Sequence, residues 1–400
     1  MKSYYTLLII FFVINVASSQ TDTIAETSIK FHINSNIKNA EEDYFKKIEN
    51  NWKAYISSQE YVRNNNIYWS YEKHPFPDYA YISLLLDLNT AINDEQDVQC
   101  TILGIIPAEN DYFLLKTMFS QKDEHSGLAD VKYIISVYAK KTEDQYLFIN
   151  SIQYHEEIYE NKIIGDINYI IHPDHQFKEK DAQKMNEFNK WIAAKFEVPP
   201  LKFDYVLANN TNDLSEVIGL DFFAYSYQPV PSGGMADNYN TMIFAGNNSA
   251  YYPHEVVHLY TNLRFRRQYH TWIDEGIAAY FGGSTGYKIE WHIQKLKKFL
   301  EKNPEYPLNN LSELQTDIPN GEYTTDFRYA IGGFLCGKIY DNEGMTGLFE
   351  ALQSGRTDGE YFAIMESKLG FKKEEFGTYI KAELRKLKTL SENEMLKLKY

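Results

Sequence analysis

Cysteine is scarce: two in 400 residues cannot build a disulfide framework, so stability has to come from core burial, which a chain of this length can supply. Cys100 and Cys336 fall in what the pattern reads as different domains and are expected to be buried structural thiols. Basic residues are in deficit. Forty Lys and Arg stand against 55 Asp and Glu, a net charge of −15, which excludes a general attraction to nucleic acid or anionic lipid. Long apolar runs are missing too. The run from Leu7 to Val16 is interrupted by Asn15 and falls well short of the ~20 residues that span a bilayer. No later run comes closer, so no stable membrane insertion is expected. The chain also lacks internal repeats and low-complexity linkers.

What the first residues do contain is an export pattern. Lys2 precedes the apolar run, and Ala17-Ser18-Ser19 closes it with small residues of the kind a signal peptidase reads. Residues 1–19 are therefore expected to be a cleaved signal peptide, with the mature chain secreted or held in the periplasm or cell envelope. No cysteine stands near that point to carry a lipid anchor.

Length points to two domains. Over residues 24–164 an amphipathic helix from Glu41 to Ser57, with Tyr44, Ile48, Trp52 and Tyr55 on one face, precedes strand-like runs. These are Tyr79–Leu85, Cys100–Ile106, Val131–Val137 and Gln145–Ile149, rich in β-branched and aromatic residues. A helix against a curved antiparallel sheet is the expected arrangement, similar in pattern to NTF2-like or cystatin-like accessory domains. Over residues 165–400 the expected elements are a strand at Asp166–Ile171, a helix at Lys178–Phe196, and strands at Phe203–Leu207 and Met242–Ala245. Ser232–Asn240 reads as an edge or loop between them, and helices dominate after Pro253. Ile289–Asn303, Tyr329–Asp341, Gly347–Ser354 and Phe376–Leu396 are the helices expected in that last part. The fold class is therefore α+β.

Chemistry concentrates in two short segments. In His254-Glu255-Val256-Val257-His258 the histidines stand four apart, so on a helix both imidazoles face one metal ion while Glu255 points at the water beside it. Pro253 fits the first turn of that helix, where its missing N–H costs little. Zinc takes a third protein ligand and keeps a fourth position open in hydrolases. Trp272-Ile273-Asp274-Glu275-Gly276 can supply it, from Glu275 or from Asp274, after enough chain to end one helix and start an antiparallel one. The pattern His-Glu-x-x-His-x-x-Gly-x-x-His does not fit, because the chain has Thr261 and Arg264 at the two further positions.

These segments, with Ala278 and Tyr280 completing Trp272-x-x-Glu275-Gly276-x-Ala278-x-Tyr280, resemble the gluzincin metallopeptidases. The branch is that of aminopeptidase N and peptidase MA-like proteins. Tyr329-Ala330-Ile331-Gly332-Gly333 is similar to that family's Tyr-x-Lys-Gly-Ala stretch, with Ile331 replacing the Lys. Gly233-Gly234-Met235-Ala236-Asp237-Asn238 is similar to its Gly-x-Met-Glu-Asn strand, with one extra residue and Asp237 in place of Glu.

The resemblance covers roughly residues 165–385. It implies a thermolysin-like zincin fold with a helical C-terminal half, and one zinc on His254, His258 and Glu275, with Glu275 favoured over Asp274. It further implies Glu255 as general base, Tyr329 as the donor to the tetrahedral intermediate, and Gly233, Gly234, Met235 and Asp237 as the strand that pairs with a peptide or protein substrate. Tyr323 is the second choice for the phenolic donor. Asp274 is expected to orient an imidazole or cap its helix. Many gluzincins carry an acid four residues after the ligand glutamate; Ala279 stands there, so support must come from elsewhere. The substitution at Asp237 points away from aminopeptidase activity. Together with Ile331, it keeps a second reading open, that of a weak or inactive zincin fold working as a binding module through its N-terminal domain. His172 and His175 around Pro173-Asp174 read as a polar turn, and His270 as an exposed loop residue.

Overall fold

The computed structural model describes residues 29–58, 66–78, 81, 98–123, 126–143, 145–223, 232–314, 317–318 and 325–400. The signal segment, Tyr323 and, but for Tyr81, the run Tyr79–Leu85 lie outside the described residues.

The chain forms a mixed α+β structure around two main sheets. In the first, β1 (Lys30–Ile33), β2 (Val98–Pro107), β3 (Tyr112–Lys122), β4 (Ala129–Lys141) and β5 (Tyr146–Ile149) pair in chain order, antiparallel except for β1 on β2. The helix α1 (Asp43–Ser58) covers one face. Its Phe45, Ile48, Trp52, Tyr55 and Ile56 recur at helical spacing and share a core with Cys100, Ile102, Leu115, Ile135, Val137 and Phe148. Strand β3 was not evident in the sequence, because Phe113-Leu114-Leu115 and Met118-Phe119 break the alternation that marks a half-buried strand.

Helix α2 (Ser151–Ile158), capped by Asn150, leads into the second sheet. Strands β6 (Glu160–Ile164), β7 (Ile167–Ile171) and β8 (Phe203–Leu207) belong to it. So do β10 (Gly233–Asp237) and β11 (Met242–Gly246); the order is β10-β11-β8-β7-β6, with β7, β8 and β11 parallel and the outer two antiparallel to their neighbours. The expected boundary at 164/165 thus runs through the β6–β7 hairpin, where Gly165 turns the chain at φ 62°. The short β9 (Phe222–Phe223) returns to pair with β4 of the first sheet.

Side chains alternate across the second sheet, and both faces are buried. Tyr169, Ile171, Tyr205, Leu207, Ile243 and Ala245 face the main core. Ile170, Val206, Met242 and Phe244 face α4 (Thr211–Ile218). On the main-core side lie α3 (Glu179–Lys195), α5 (Pro253–Phe265) and α6 (Thr271–Gly282).

Beyond them come α7 (Ile289–Lys302), α8 (Phe327–Leu352), α9 (Asp358–Leu369), α10 (Phe376–Lys386) and α11 (Glu392–Leu396). The two helices expected at 329–341 and 347–354 are present as the two arms of α8, separated at Gly344, where the backbone leaves helical geometry (φ 64°). The expected Phe376–Leu396 helix is instead α10 and α11. Ser391 and Glu394 form a capping box that restarts the chain, as Thr357 and Glu360 do for the unexpected α9. Among the described residues, no helix is long and apolar enough to cross a membrane.

Candidate metal centre

Helix α5 runs through the core with little solvent-facing surface, and its first residues carry the site. Pro253 opens the helix, so His254 and His258 sit one turn apart on a common face with ring centroids 5.0 Å from each other. Helix α6 returns antiparallel after the turn at Arg266–His270. Its end abuts the start of α5 so closely that a Cβ on Gly282 would lie 2.5 Å from the His254 nitrogen. This packing inserts Glu275 between the imidazoles: its Oε2 is 3.2 Å from His254 Nε2 and 3.6 Å from His258 Nε2.

The three ligand atoms lie within 4.8 Å of one another, the one His/Cys/Asp/Glu group among the described residues that could hold a metal ion. Two imidazole nitrogens and one carboxylate oxygen are the donor set of a hydrolytic zinc site. Tetrahedral ligation at about 2 Å would set ligand atoms roughly 3.3 Å apart, close to the two separations to Glu275.

The other imidazole nitrogens fix the tautomers. His254 Nδ1 donates to the Gly283 carbonyl at 2.7 Å, and His258 Nδ1 donates to Asp274 Oδ2 at 3.0 Å. Both Nε2 atoms are thereby turned toward Glu275. The Thr261 hydroxyl donates to Asp274 Oδ1 at 2.6 Å and holds that carboxylate in place. Asp274 therefore stands behind His258, with Glu275 between the two imidazoles. Asn238 adds a third tie: with its amide turned to satisfy both neighbours, it donates to the His258 carbonyl and accepts from Arg267.

Charge is unevenly spread here. Burial raises the Glu275 carboxyl, but Arg328, with Nη2 3.8 Å from Oε1, and hydrogen bonds from the imidazoles outweigh it and hold the group well below the usual carboxylate range. Burial works against a charge on His258, and Asp274 and Glu275 overcome it and raise that imidazole well above its ordinary value. Glu255 is buried, one residue along α5 from His254. Tyr329, near the start of α8, has its ring 5.3 Å from that of His254. Burial, reinforced by Glu275, keeps its phenol protonated far above neutral pH.

Strand β10 is the outer strand of the second sheet, and among the described residues nothing pairs with its far edge. Gly233, Gly234 and Met235 lie on it, opposite Gly246, Ala245 and Phe244. Gly234 has no room for a side chain, since a Cβ would lie 2.5 Å from the Tyr252 ring. Asp237 differs from the expectation that it faces substrate. It is buried, and its carboxylate accepts from the Tyr239 and Asn240 amides and from the Asn240 side chain at 2.7–3.2 Å, so the β10–β11 turn occupies it. Burial lifts its pKa to about 6 against those bonds.

His270 also differs from expectation. It is buried, caps α6 by accepting from the Trp272 amide, and donates to Asp358. His172 and His175 sit in a turn, bonded to the Asp174 amide and to Asn209. Arg328, Thr261 and the Gly283 carbonyl had no signal in the sequence. Each acts through an atom that only chain folding brings to the site.

No protein-family model matches the chain, and no curated protein does. Among solved structures it is similar to a two-domain M1 zinc metallopeptidase mutant bound to L-tryptophan, at 11% identity and a TM-score of 0.31, over 72% of this chain and 63% of that one. The M1 zinc metallopeptidase from Deinococcus radiodurans is similar at 11% identity and a TM-score of 0.30, over 72% and 63% of the two chains. A mutant of that organism's enzyme bound to a Tyr-Ser-Ala substrate gives 12%, 0.31, 72% and 62%. The chain thus spans less than two thirds of those proteins' lengths, and likeness at this level assigns it neither a family nor an activity.

Proposed function

We propose that the chain is a zinc-dependent metallopeptidase of gluzincin type. The observation that carries this reading is the convergence of His254 Nε2, His258 Nε2 and Glu275 Oε2, with both imidazoles oriented from behind and Glu255 on the same helix. Zinc held there supplies the Lewis acidity that polarises a peptide carbonyl and activates water near neutral pH. Glu255 takes the proton of the attacking water and passes it to the departing amine. Tyr329, a neutral phenol, donates to the oxygen on which negative charge develops. The edge of β10 that is unpaired among the described residues pairs with the substrate backbone, as an open sheet edge does with an added strand. Because the β10–β11 turn occupies Asp237, the reading includes no carboxylate for a substrate's amino terminus, and the product pattern decides between exo- and endopeptidase action.

The proposal extends to location and layout. Lys2, Leu7–Val16 and Ala17-Ser18-Ser19 support export, and residues 24–164 support an accessory unit ahead of the zinc-binding one. Digestion of a broad peptide library by zinc-loaded protein tests the function. Cleavage that a chelator abolishes, and that Glu255→Gln abolishes while zinc stays bound, is the expected result. Unchanged turnover in Glu255→Gln would sink the reading. Zinc binding with no cleavage of any peptide would favour a binding module instead.

A further inference from the structure

Arg328 is 5% exposed, and a guanidinium stays charged at any depth, so its surroundings have to compensate it. Two carboxylates are near. Asp326 caps α8, and its Oδ1 is taken by the Arg328 backbone amide at 2.5 Å. Glu275 presents Oε1 to Arg328 Nη2 at 3.8 Å while Oε2 faces the two imidazoles. The guanidinium also lies 5.3 Å from the Tyr329 ring centroid. The oxygens of Glu275 are thereby divided between one cation and the two His ligands.

We propose that Arg328 is a positioning residue for the metal centre: its charge holds Glu275 Oε1 toward itself and so presents Oε2 to the ion. The inference rests on the zinc reading above. Without Arg328, Oε1 of the half-buried carboxylate loses the cation that faces it, and the carboxylate is free to turn, taking Oε2 away from the imidazoles. A guanidinium also repels a divalent cation, so the sign of the effect is informative. Positioning predicts weaker zinc binding when Arg328 is removed, and simple charge repulsion predicts tighter binding.

The test is zinc affinity of the full chain, measured by competition with a chromophoric chelator. Arg328→Met is expected to weaken binding about 10- to 100-fold, the range seen when the partner of a metal ligand is lost. In a Glu275→Ala background the same change is expected to cost less than about twofold, because the group it positions is gone. Unchanged or tighter binding by Arg328→Met overturns the proposal, and so does a loss that persists undiminished without Glu275. If the Met variant does not fold, Arg328→Lys carries the test. It keeps the charge and is expected to retain most of the affinity, and a loss as large as that of Glu275→Ala overturns the proposal. A wild-type chain that binds no zinc overturns this inference together with the reading beneath it. One that binds zinc but cleaves no peptide removes only the peptidase reading.

Discussion

Gly276 and Gly332 touch where α6 crosses α8: a Cβ on Gly276 would lie 2.6 Å from the Gly332 carbonyl carbon, and a Cβ on Gly332 would lie 3.1 Å from the Gly276 Cα. Gly276 follows Glu275, and Gly332 stands three residues after Tyr329, on the same helical face. Two absent side chains thus set the spacing between the Glu275 carboxylate and the Tyr329 phenol. Gly276→Ala should force the helices apart, at about 1–3 kcal/mol as for other overpacked cores. Both the melting temperature and peptide turnover are expected to fall, while Gly104→Ala, where a Cβ meets nothing and the backbone is not left-handed, should cost turnover nothing. Turnover unchanged in Gly276→Ala would show that the helix contact does not place the phenol.

Tyr329→Phe removes only a hydroxyl. Zinc content is expected to stay at the wild-type level while kcat falls by about 10²- to 10³-fold, the usual cost of one oxyanion donor. If kcat is retained, the phenol is a core residue and the donor lies elsewhere.

Asp274 bears on the candidate metal site through His258. Asp274→Ala should leave that imidazole free to change tautomer and rotate, and lower zinc affinity about 10- to 100-fold. Thr261→Val, which removes the hydroxyl that holds Asp274, should produce a smaller loss in the same direction. A competing chelator reads both, and a Thr261→Val loss exceeding that of Asp274→Ala would contradict this order.

Acid should destabilise the fold through two histidines outside the ligand set. Burial depresses His292 and His74 to about 4, against an ordinary value near 6.5. His292 is fully enclosed between Thr325 and the Ser284 carbonyl. Between those values these imidazoles bind protons in the unfolded chain and refuse them in the folded one, so their contribution to stability is intact above pH 6.5 and drains as pH falls toward 4. Each group contributes up to about 3 kcal/mol to that loss. Asp237 and Asp326, raised to about 6 and about 7, take up protons in the folded chain over the same range and oppose that loss, so the check is residue-specific: the His292 and His74 ring resonances of folded, chelator-treated protein should not titrate between pH 7.5 and 5, and titration near 6.5 would falsify the assignment.

Much of the candidate site was legible because its pattern is local. The spacing of His254, Glu255 and His258, with Pro253 ahead of them, is a property of one helix, and a helix puts residues four apart on one face whatever surrounds it. The same locality made α1, α3 and the central strands β8 and β11 readable, since each carries its own periodicity. Strand β3 was not readable, because a sheet that buries parts of both faces erases the alternation. Helix α9 was missed although its Thr357–Glu360 capping box was present, since only Tyr361, Phe362 and Met365 mark its buried face.

The sequence by itself determined the candidate ligands, the candidate base and the acidic, cysteine-poor character of the chain, all of which follow from residue identity and short-range spacing. Only the tertiary structure decided what surrounds them. It gave Asp274 to His258, the Gly283 carbonyl to His254 and Arg328 to Glu275, and it occupied Asp237 in its own turn. Those partnerships join atoms on different elements, or depend on how a turn closes. The first three are set by where α6 packs against α5 and α8, which is a consequence of packing and not of any local pattern.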